Sequence, residues 1–415
     1  MENGLRFILD LILILVVTNI GGLLSAKLKQ PSVLGQILAG LFIGPAILNL
    51  VEPSNFISNF AEIGVILLMF MAGMETNVAE MKKSAGSSTV IALVGMIVPF
   101  VLGLLTIKLM FKNEGIYQAV YSGVILTATS ISITVQTLRE LGKLKDKTGV
   151  NIMGAAIADD IGGIVLLTIV VGMSDPTKGS NPLIVILKIV VFFIFILFAA
   201  KLIKYFMSRY SNKLSNYITP SSIALICCLV FAYLAEMFDI AAIIGAYSAG
   251  LIFSIIPNNR KIELELNTIC YMVFTPVFFA NIGLAVNFEN IGSVILPTLV
   301  ISAVAIVSKI LGAGIGAKLV RFTAKESLQI GIGMIPRGEV AIITANLGRN
   351  AGMINDKIFT AIVIMSIVTS VVTPILLKKA YGIKMMENVK EIKNSNSINI
   401  NQKTKPSNTN VNVNI

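Results

Sequence analysis

The sequence predicts an all-α membrane protein, and three observations predict it. Long apolar runs recur from Ile8 almost to Leu377, many at the ~20 residues a helix needs to cross a bilayer. Charged residues make up only 13% of the chain, about half the share of a soluble domain. The runs are continuous rather than alternating, which excludes the strands of an outer-membrane barrel.

Taken in order, the runs predict about thirteen spans, near residues 8–26, 33–50, 57–74, 87–111, 117–138, 148–173, 183–207, 219–236, 239–256, 267–286, 291–317, 326–348 and 357–377. The first is long enough to span and is followed by no small-residue cleavage site, so it reads as a span and not a signal peptide. The loops test the count. With the N-terminus outside, the inner loops hold Lys27 and Lys29, Lys82 and Lys83, Arg139, Lys143, Lys145 and Lys147, Lys201, Lys204, Arg209 and Lys213, Arg260 and Lys261, then Lys318, Arg321 and Lys325. The outer loops hold only a scatter: Arg6, Lys108, Lys112, Lys178, Arg349 and Lys357. That alternation fits the positive-inside rule for an odd number of spans, N-terminus out and C-terminus in. Residues 1–380 therefore form one transmembrane domain. Residues 381–415, rich in Asn, Lys and Ser, have little to bury and are expected to be a disordered cytoplasmic tail, too short and polar for a nucleotide-binding domain.

Thirteen spans divide as six, one and six, which pairs the fifth with the twelfth. Both are irregular. The fifth carries Thr127-Ala-Thr-Ser-Ile-Ser-Ile-Thr134 and the twelfth Gly331-Ile-Gly-Met-Ile-Pro-Arg-Gly338. Interrupted spans at matching positions of two halves point to an inverted repeat with a midplane binding site. The repeat rests on spacing, since the halves show no visible identity.

Chemistry concentrates in few residues. Asp159 and Asp160 stand together near the centre of the sixth span, in Gly154-Ala-Ala-Ile-Ala-Asp-Asp-Ile-Gly-Gly163. One ionised side chain at bilayer centre costs roughly 2.5–3.5 kcal/mol on insertion scales. Two adjacent carboxylates also repel, so at least one should sit near its proton-exchange point. A pair buried merely to bond helix ends is disfavoured, because one Asn would serve. Lys309 lies mid-span, too deep to snorkel, and needs an anion or a wet cavity; either aspartate is the economical partner. Lys188, nearer its span's end, reads as structural. Pro336 breaks the twelfth span, and Arg337 and Glu339 beside it are expected to neutralise half-helix ends or each other. In the fifth span Thr127, Thr129, Ser130, Ser132 and Thr134 offer hard oxygen ligands suited to Na⁺ or Li⁺, a signal that gains weight opposite the aspartates.

Other classes are narrowed the same way. A net charge of +11 could suggest nucleic acid, but the basic residues lie in short inter-span loops and report topology instead. Cys227, Cys228 and Cys270 sit in apolar stretches without metal-ligand spacing and read as packing residues. The absence of His leaves proton chemistry to carboxylates and lysines. Neither a cofactor nor a bound metal beyond a transported cation is expected.

With these residues in view, the chain resembles the monovalent cation:proton antiporter superfamily, in its bacterial Na⁺/H⁺ exchanger branch. The resemblance rests on Gln30-Pro-Ser-Val-Leu-Gly-Gln-Ile-Leu-Ala-Gly-Leu-Phe-Ile-Gly-Pro45, the Thr127–Thr134 segment, Ala158-Asp-Asp-Ile-Gly162, Phe278-Phe-Ala-Asn-Ile-Gly283 and Pro336-Arg-Gly-Glu339. It spans nearly the whole membrane region, and the aspartate pair with its preceding hydroxyl segment is its most specific part. Gly73-Met-Glu-Thr departs slightly from a commoner Gly-Leu-Glu. The resemblance implies two crossed, broken helices in a core domain that moves against a dimerisation domain, in a homodimer. It implies that Asp160 binds ion and proton, that Asp159 pairs with Lys309, and that a member with two aspartates is electrogenic. The expected function is exchange of a monovalent cation, Na⁺ before Li⁺ or K⁺, for protons in the cell membrane, with no catalytic residues. Three rival readings stand beside it, one of them a passive cation channel, which would show flux without proton coupling. A Na⁺-coupled symporter of an organic anion would need a further polar cluster, which the sequence lacks. An intramembrane aspartyl protease needs two aspartates sharing a proton, whereas adjacent residues on one helix project about 100° apart.

Overall fold

The computed structural model describes residues 5–111, 114–174, 182–214, 219–256, 259–285 and 294–382. They form sixteen α-helices and one π-helical turn: α1 (Arg6–Lys27), α2 (Ser32–Ile43), α3 (Asn55–Glu75), α4 (Val78–Met110), α5 (Ile116–Thr127), α6 (Ile131–Glu140), α7 (Lys147–Ser174), α8 (Pro182–Leu214), α9 (Pro220–Met237), α10 (Ala242–Ser254), α11 (Asn259–Ile269), the π-turn (Cys270–Phe274), α12 (Thr275–Leu284), α13 (Ile295–Leu319), α14 (Ala324–Gly333), α15 (Gly338–Asn350) and α16 (Asp356–Tyr381). Capping residues mark several starts: Ser54, Asn77, Thr219 and Asn355 each accept a first-turn amide through a side-chain oxygen, which satisfies donors the helix cannot. Thr323 and Glu326 form a reciprocal capping box on α14.

All thirteen predicted segments hold helix, but ten helical segments among the described residues are long and apolar enough to cross a membrane unaided. The departures have local causes. The segment expected at 33–50 ends its helix at Ile43, because Gly44 precedes Pro45 and takes an extended conformation. The one at 239–256 shortens to thirteen residues. The one at 326–348 is split into α14 and α15. The tail expected from 381 falls outside the described residues beyond Gly382.

Neighbour relations show the inverted repeat inferred from spacing. Offset by seven spans, α1–α2 packing recurs as α9–α10, α2–α12 as α3–α10, and α4–α7 as α13–α16, while α4 packs on α13. Two groups result. α1, α2, α3, α9, α10 and α12 form one panel; α4 to α7 and α13 to α16 form a bundle, and few contacts join them. Within the panel, α3 and α10 meet backbone to backbone. A Cβ on Gly73 would lie 2.3 Å from the Tyr247 carbonyl oxygen, and one on Gly250 would lie 2.1 Å from that of Phe70. Glycine at both places permits this approach.

Candidate functional site

The bundle is interrupted twice, at the two places the sequence marks. Between α5 and α6, residues 128–130 leave helical geometry, with Ser130 extended. Between α14 and α15, residues 334–337 do the same. The two breaks are bonded to each other: the Ser130 amide donates to the Pro336 carbonyl at 2.7 Å, and Thr134 Oγ1 donates to the Gly333 carbonyl at 2.7 Å. Backbone freed from helical pairing is thus re-satisfied inside protein, as a low-dielectric surrounding requires. Gly338 is needed at this meeting. Its φ is +44°, and a Cβ would lie 2.5 Å from Ser130 Oγ.

Each break exposes the carbonyl end of one half-helix and the amide end of another, with partial charges of opposite sign. Arg337 sits at the break without solvent exposure. Its Nη1 donates to the Ala128 carbonyl, just past α5, at 2.7 Å, and its Nη2 donates to the Ala305 carbonyl of α13 at 3.1 Å. The guanidinium therefore neutralises a half-helix end. Thr369 of α16 accepts the Arg337 amide at 3.3 Å.

α7 brings the aspartates to this point. Lys309 reaches across from α13 to place Nζ 3.1 Å and 3.0 Å from the two carboxylate oxygens of Asp159, and Thr129 of the first break donates to Asp159 Oδ2 at 2.6 Å. Lys309 is fully enclosed, Asp159 is 2% exposed, and Asp160 beside it is buried as well. A charged pair so enclosed is expensive to separate, which suits a fixed counter-charge beside a second carboxylate.

Of the residues singled out in the sequence, the structure brings together Asp159, Asp160, Lys309, Thr129, Ser130, Pro336 and Arg337. Ser130 and Ser132 stand with their hydroxyls 3.0 Å apart. Thr127 is not brought in; its hydroxyl donates to Val124 in its own helix. Glu339 lies in the first turn of α15, its side chain outside those described. Lys188 bonds Asp239 at 2.5 Å, away from the site. Thr369 was missed by sequence reasoning, although Ser366, Thr369, Ser370 and Thr373, all fully buried, form a polar stripe at helical spacing that could have signalled it.

Also missed is a polar connection between panel and bundle at the far end of α6. Arg139 pairs with Glu75 of α3 at 2.5 Å, lies over the Tyr271 ring of the π-turn at 4.2 Å, and donates to Asn267 of α11 at 2.8 Å. Beside it, Glu140 accepts the Ser32 amide of α2 at 2.6 Å.

Comparison with known proteins gives a consistent result. The family model for the sodium/hydrogen exchanger, transmembrane, matches residues 12–379. The Na(+)/H(+)-K(+) antiporter GerN of Bacillus cereus is 42% identical over 380 residues, which are 91% of this chain and 97% of that protein. The Na(+)/H(+) antiporter of Enterococcus hirae is 35% identical over 376 residues, 90% of this chain and 98% of the relative. A structure of the sodium proton antiporter MjNhaP1 from Methanocaldococcus jannaschii aligns with TM-score 0.71 over 93% of this chain and 98% of that one, at 18% identity, a likeness of fold.

Proposed function

This chain belongs to the sodium/hydrogen exchanger family and is a multi-pass transporter, not an enzyme, that exchanges a monovalent cation for protons; from that premise we propose that Asp160 carries both substrates in turn while Asp159 and Lys309 set the charge balance. The observation that supports this reading most is the meeting of both broken helices at a carboxylate already held by Lys309 and Thr129, with Asp160 next to it in the chain.

In this mechanism Asp160 holds a proton when no cation is present, and Lys309 stays paired with Asp159. A cation entering from the cytoplasm displaces the proton from Asp160 and competes with Lys309 for Asp159. Thr129 and Ser130 supply further oxygen ligands, and Arg337 and Pro336 keep the half-helices apart so that backbone oxygens face the ion. The bundle then shifts against the panel, releases the ion outside and returns with a proton. Competition for one midplane site couples the two fluxes. With two aspartates and one lysine, exchange is electrogenic. Na⁺ is the first substrate to test, and K⁺ the second, in view of GerN's name. A cell-membrane location, a cytoplasmic C-terminus and a homodimer belong to the same reading; the first two rest on loop charge and family, the last on the family resemblance.

The test is purified protein in liposomes with an interior pH dye, pulsed in turn with Na⁺, Li⁺ and K⁺. Asp160→Asn should abolish cation-dependent proton flux at normal expression, because the variant lacks the charge both substrates neutralise. Near-normal exchange by that variant would sink the assignment.

A further inference from the structure

One cavity lies outside the exchange site and has its own chemistry. It measures about 400 Å³ and opens where the first turns of α4 and α7 meet the end of α13. Three ammonium groups line it, from Lys83, Lys145 and Lys147, against one carboxylate, Glu80. Glu80 is already matched by Lys83 at 3.0 Å. Lys147 is held over the Phe322 ring at 4.2 Å and reaches Glu326 only at 3.8 Å. Lys145 makes no ion pair among the described residues. Ser84, Ser87 and Asn151 complete the polar wall, with Ser87 donating to Asn151 Oδ1 at 2.6 Å. The positive end of α7, a helix of 28 residues, adds to the potential.

We propose that this cavity binds the phosphate group of an anionic phospholipid, with Lys83, Lys145 and Lys147 as its charge partners and the Ser84, Ser87 and Asn151 side chains as hydrogen-bond partners. A phosphate is the anion that three ammonium groups, hydroxyls and a helix N-terminus suit together. The lipid is favoured over a free phosphate ester by the rest of the wall. Val150, Val320 and Phe322 make it apolar on one side, and Leu319, next in the chain, is 65% exposed on the outer surface of α13, a path for an acyl chain. Juxtamembrane lysines at the ends of spans are where anionic headgroups are concentrated. The ligand would join the ends of α4, α7 and α13. α7 carries Asp159 and Asp160 and α13 carries Lys309, so occupancy would brace the helices that hold the exchange site without touching it.

The experiment uses the full chain, purified in mild detergent and stripped of lipid, titrated separately with phosphatidylglycerol, phosphatidylcholine and glycerol phosphate while melting is followed. Phosphatidylglycerol should raise the melting temperature and phosphatidylcholine should not. Affinity for phosphatidylglycerol should fall about fivefold for each lysine removed across Lys83→Gln, Lys145→Gln and Lys147→Gln, at ~1 kcal/mol per juxtamembrane lysine. Should the triple variant fail to fold, Lys145→Gln alone serves, since Lys145 makes no close ion pair among the described residues and its attraction to Glu75 is shared with Arg139; Lys357→Gln, at the start of α16, is the control and should bind as the parent does. An equal shift from glycerol phosphate supports the phosphate site and overturns the lipid as its source. Equal stabilisation by phosphatidylcholine, or undiminished affinity in the lysine variants, overturns the proposal. None of these readouts depends on cation exchange, so failure here leaves the assignment of Asp160 intact.

Discussion

Replacing Lys309 with Gln isolates the contribution of the enclosed ion pair. In the parent chain the ammonium contacts both oxygens of Asp159, with the lysine at 0% and the aspartate at 2% exposure. Its removal leaves the carboxylate with the Thr129 hydroxyl as its hydrogen-bond donor. A buried charge so orphaned destabilises by about 3–5 kcal/mol. The carboxylate has an escape, which is to take a proton. For a carboxyl of ordinary affinity that costs about 4 kcal/mol at pH 7 and about 1.4 kcal/mol less for each pH unit below it. The penalty is thus capped near 4 kcal/mol at pH 7, and it shrinks as pH falls because protonation removes the orphaned charge. Lys309→Gln should therefore melt well below the parent at pH 8 and close to it at pH 5. The double variant with Asp159→Asn lacks the carboxylate that loss of Lys309 leaves unpaired, so it should be more stable than Lys309→Gln at pH 8 and less sensitive to pH in this respect. The chain contains no Trp, but Cys228 and Cys270 are free and buried, so a thiol-reactive dye reports unfolding directly. In liposomes under an imposed potassium-diffusion potential, the single and double variants should both lose the voltage response of exchange. A melting difference that is constant with pH, or a double variant as unstable as Lys309→Gln at pH 8, would refute the pairing as the source of the effect. Undiminished voltage dependence would place charge coupling elsewhere.

Three further outcomes are expected. Gly338→Ala should lower the melting temperature and suppress transport, because its φ of +44° and the nearby Ser130 side chain both oppose a Cβ; Gly352→Ala, with φ of +72° and open space around it, should show only the strain of about 1–2 kcal/mol. In a cysteine-free background, Lys145→Cys should be labelled by an impermeant reagent only from the cytoplasm and Lys357→Cys only from outside, as loop charge requires; the reverse pattern would mean a miscounted span. Arg139→Gln and Glu75→Gln should each destabilise the chain, and the double variant should recover part of the loss with a coupling of about 1–3 kcal/mol, measured by the same dye; strict additivity would show that the contact between α6 and α3 carries no energy.

How much of this was legible before the structure depends on how crowded each region is with alternatives. Deep in the membrane, charges are so few that each has few conceivable partners. Lys309 could be matched with the aspartates on scarcity alone, and the pair is present at 3.0 Å. The two breaks were legible for a related reason: Pro336 and the hydroxyl run of Thr127–Thr134 interrupt otherwise apolar helices, and a lipid environment tolerates such interruptions only where protein covers them. Which hydroxyl does what was not legible, because Thr127 and Thr129 differ by two residues and only the end of α5 decides that one turns back to Val124 while the other reaches Asp159. At the helix ends scarcity no longer helps. Arg139, Lys143, Lys145 and Lys147 lie within nine residues and could be read only as a topology signal, yet Arg139 bonds α3 and α11, Lys143 pairs with Asp146, and Lys145 and Lys147 line a cavity. Those fates are decided by which distant helix ends the bundle brings alongside, and no local pattern encodes that. The same property that obscures these residues in sequence makes them adjustable in the protein: Arg139 has several polar neighbours to choose among, whereas the enclosed Lys309 has Asp159. Partner exchange should accordingly be sought at Arg139 and Glu140, where the bundle meets the panel.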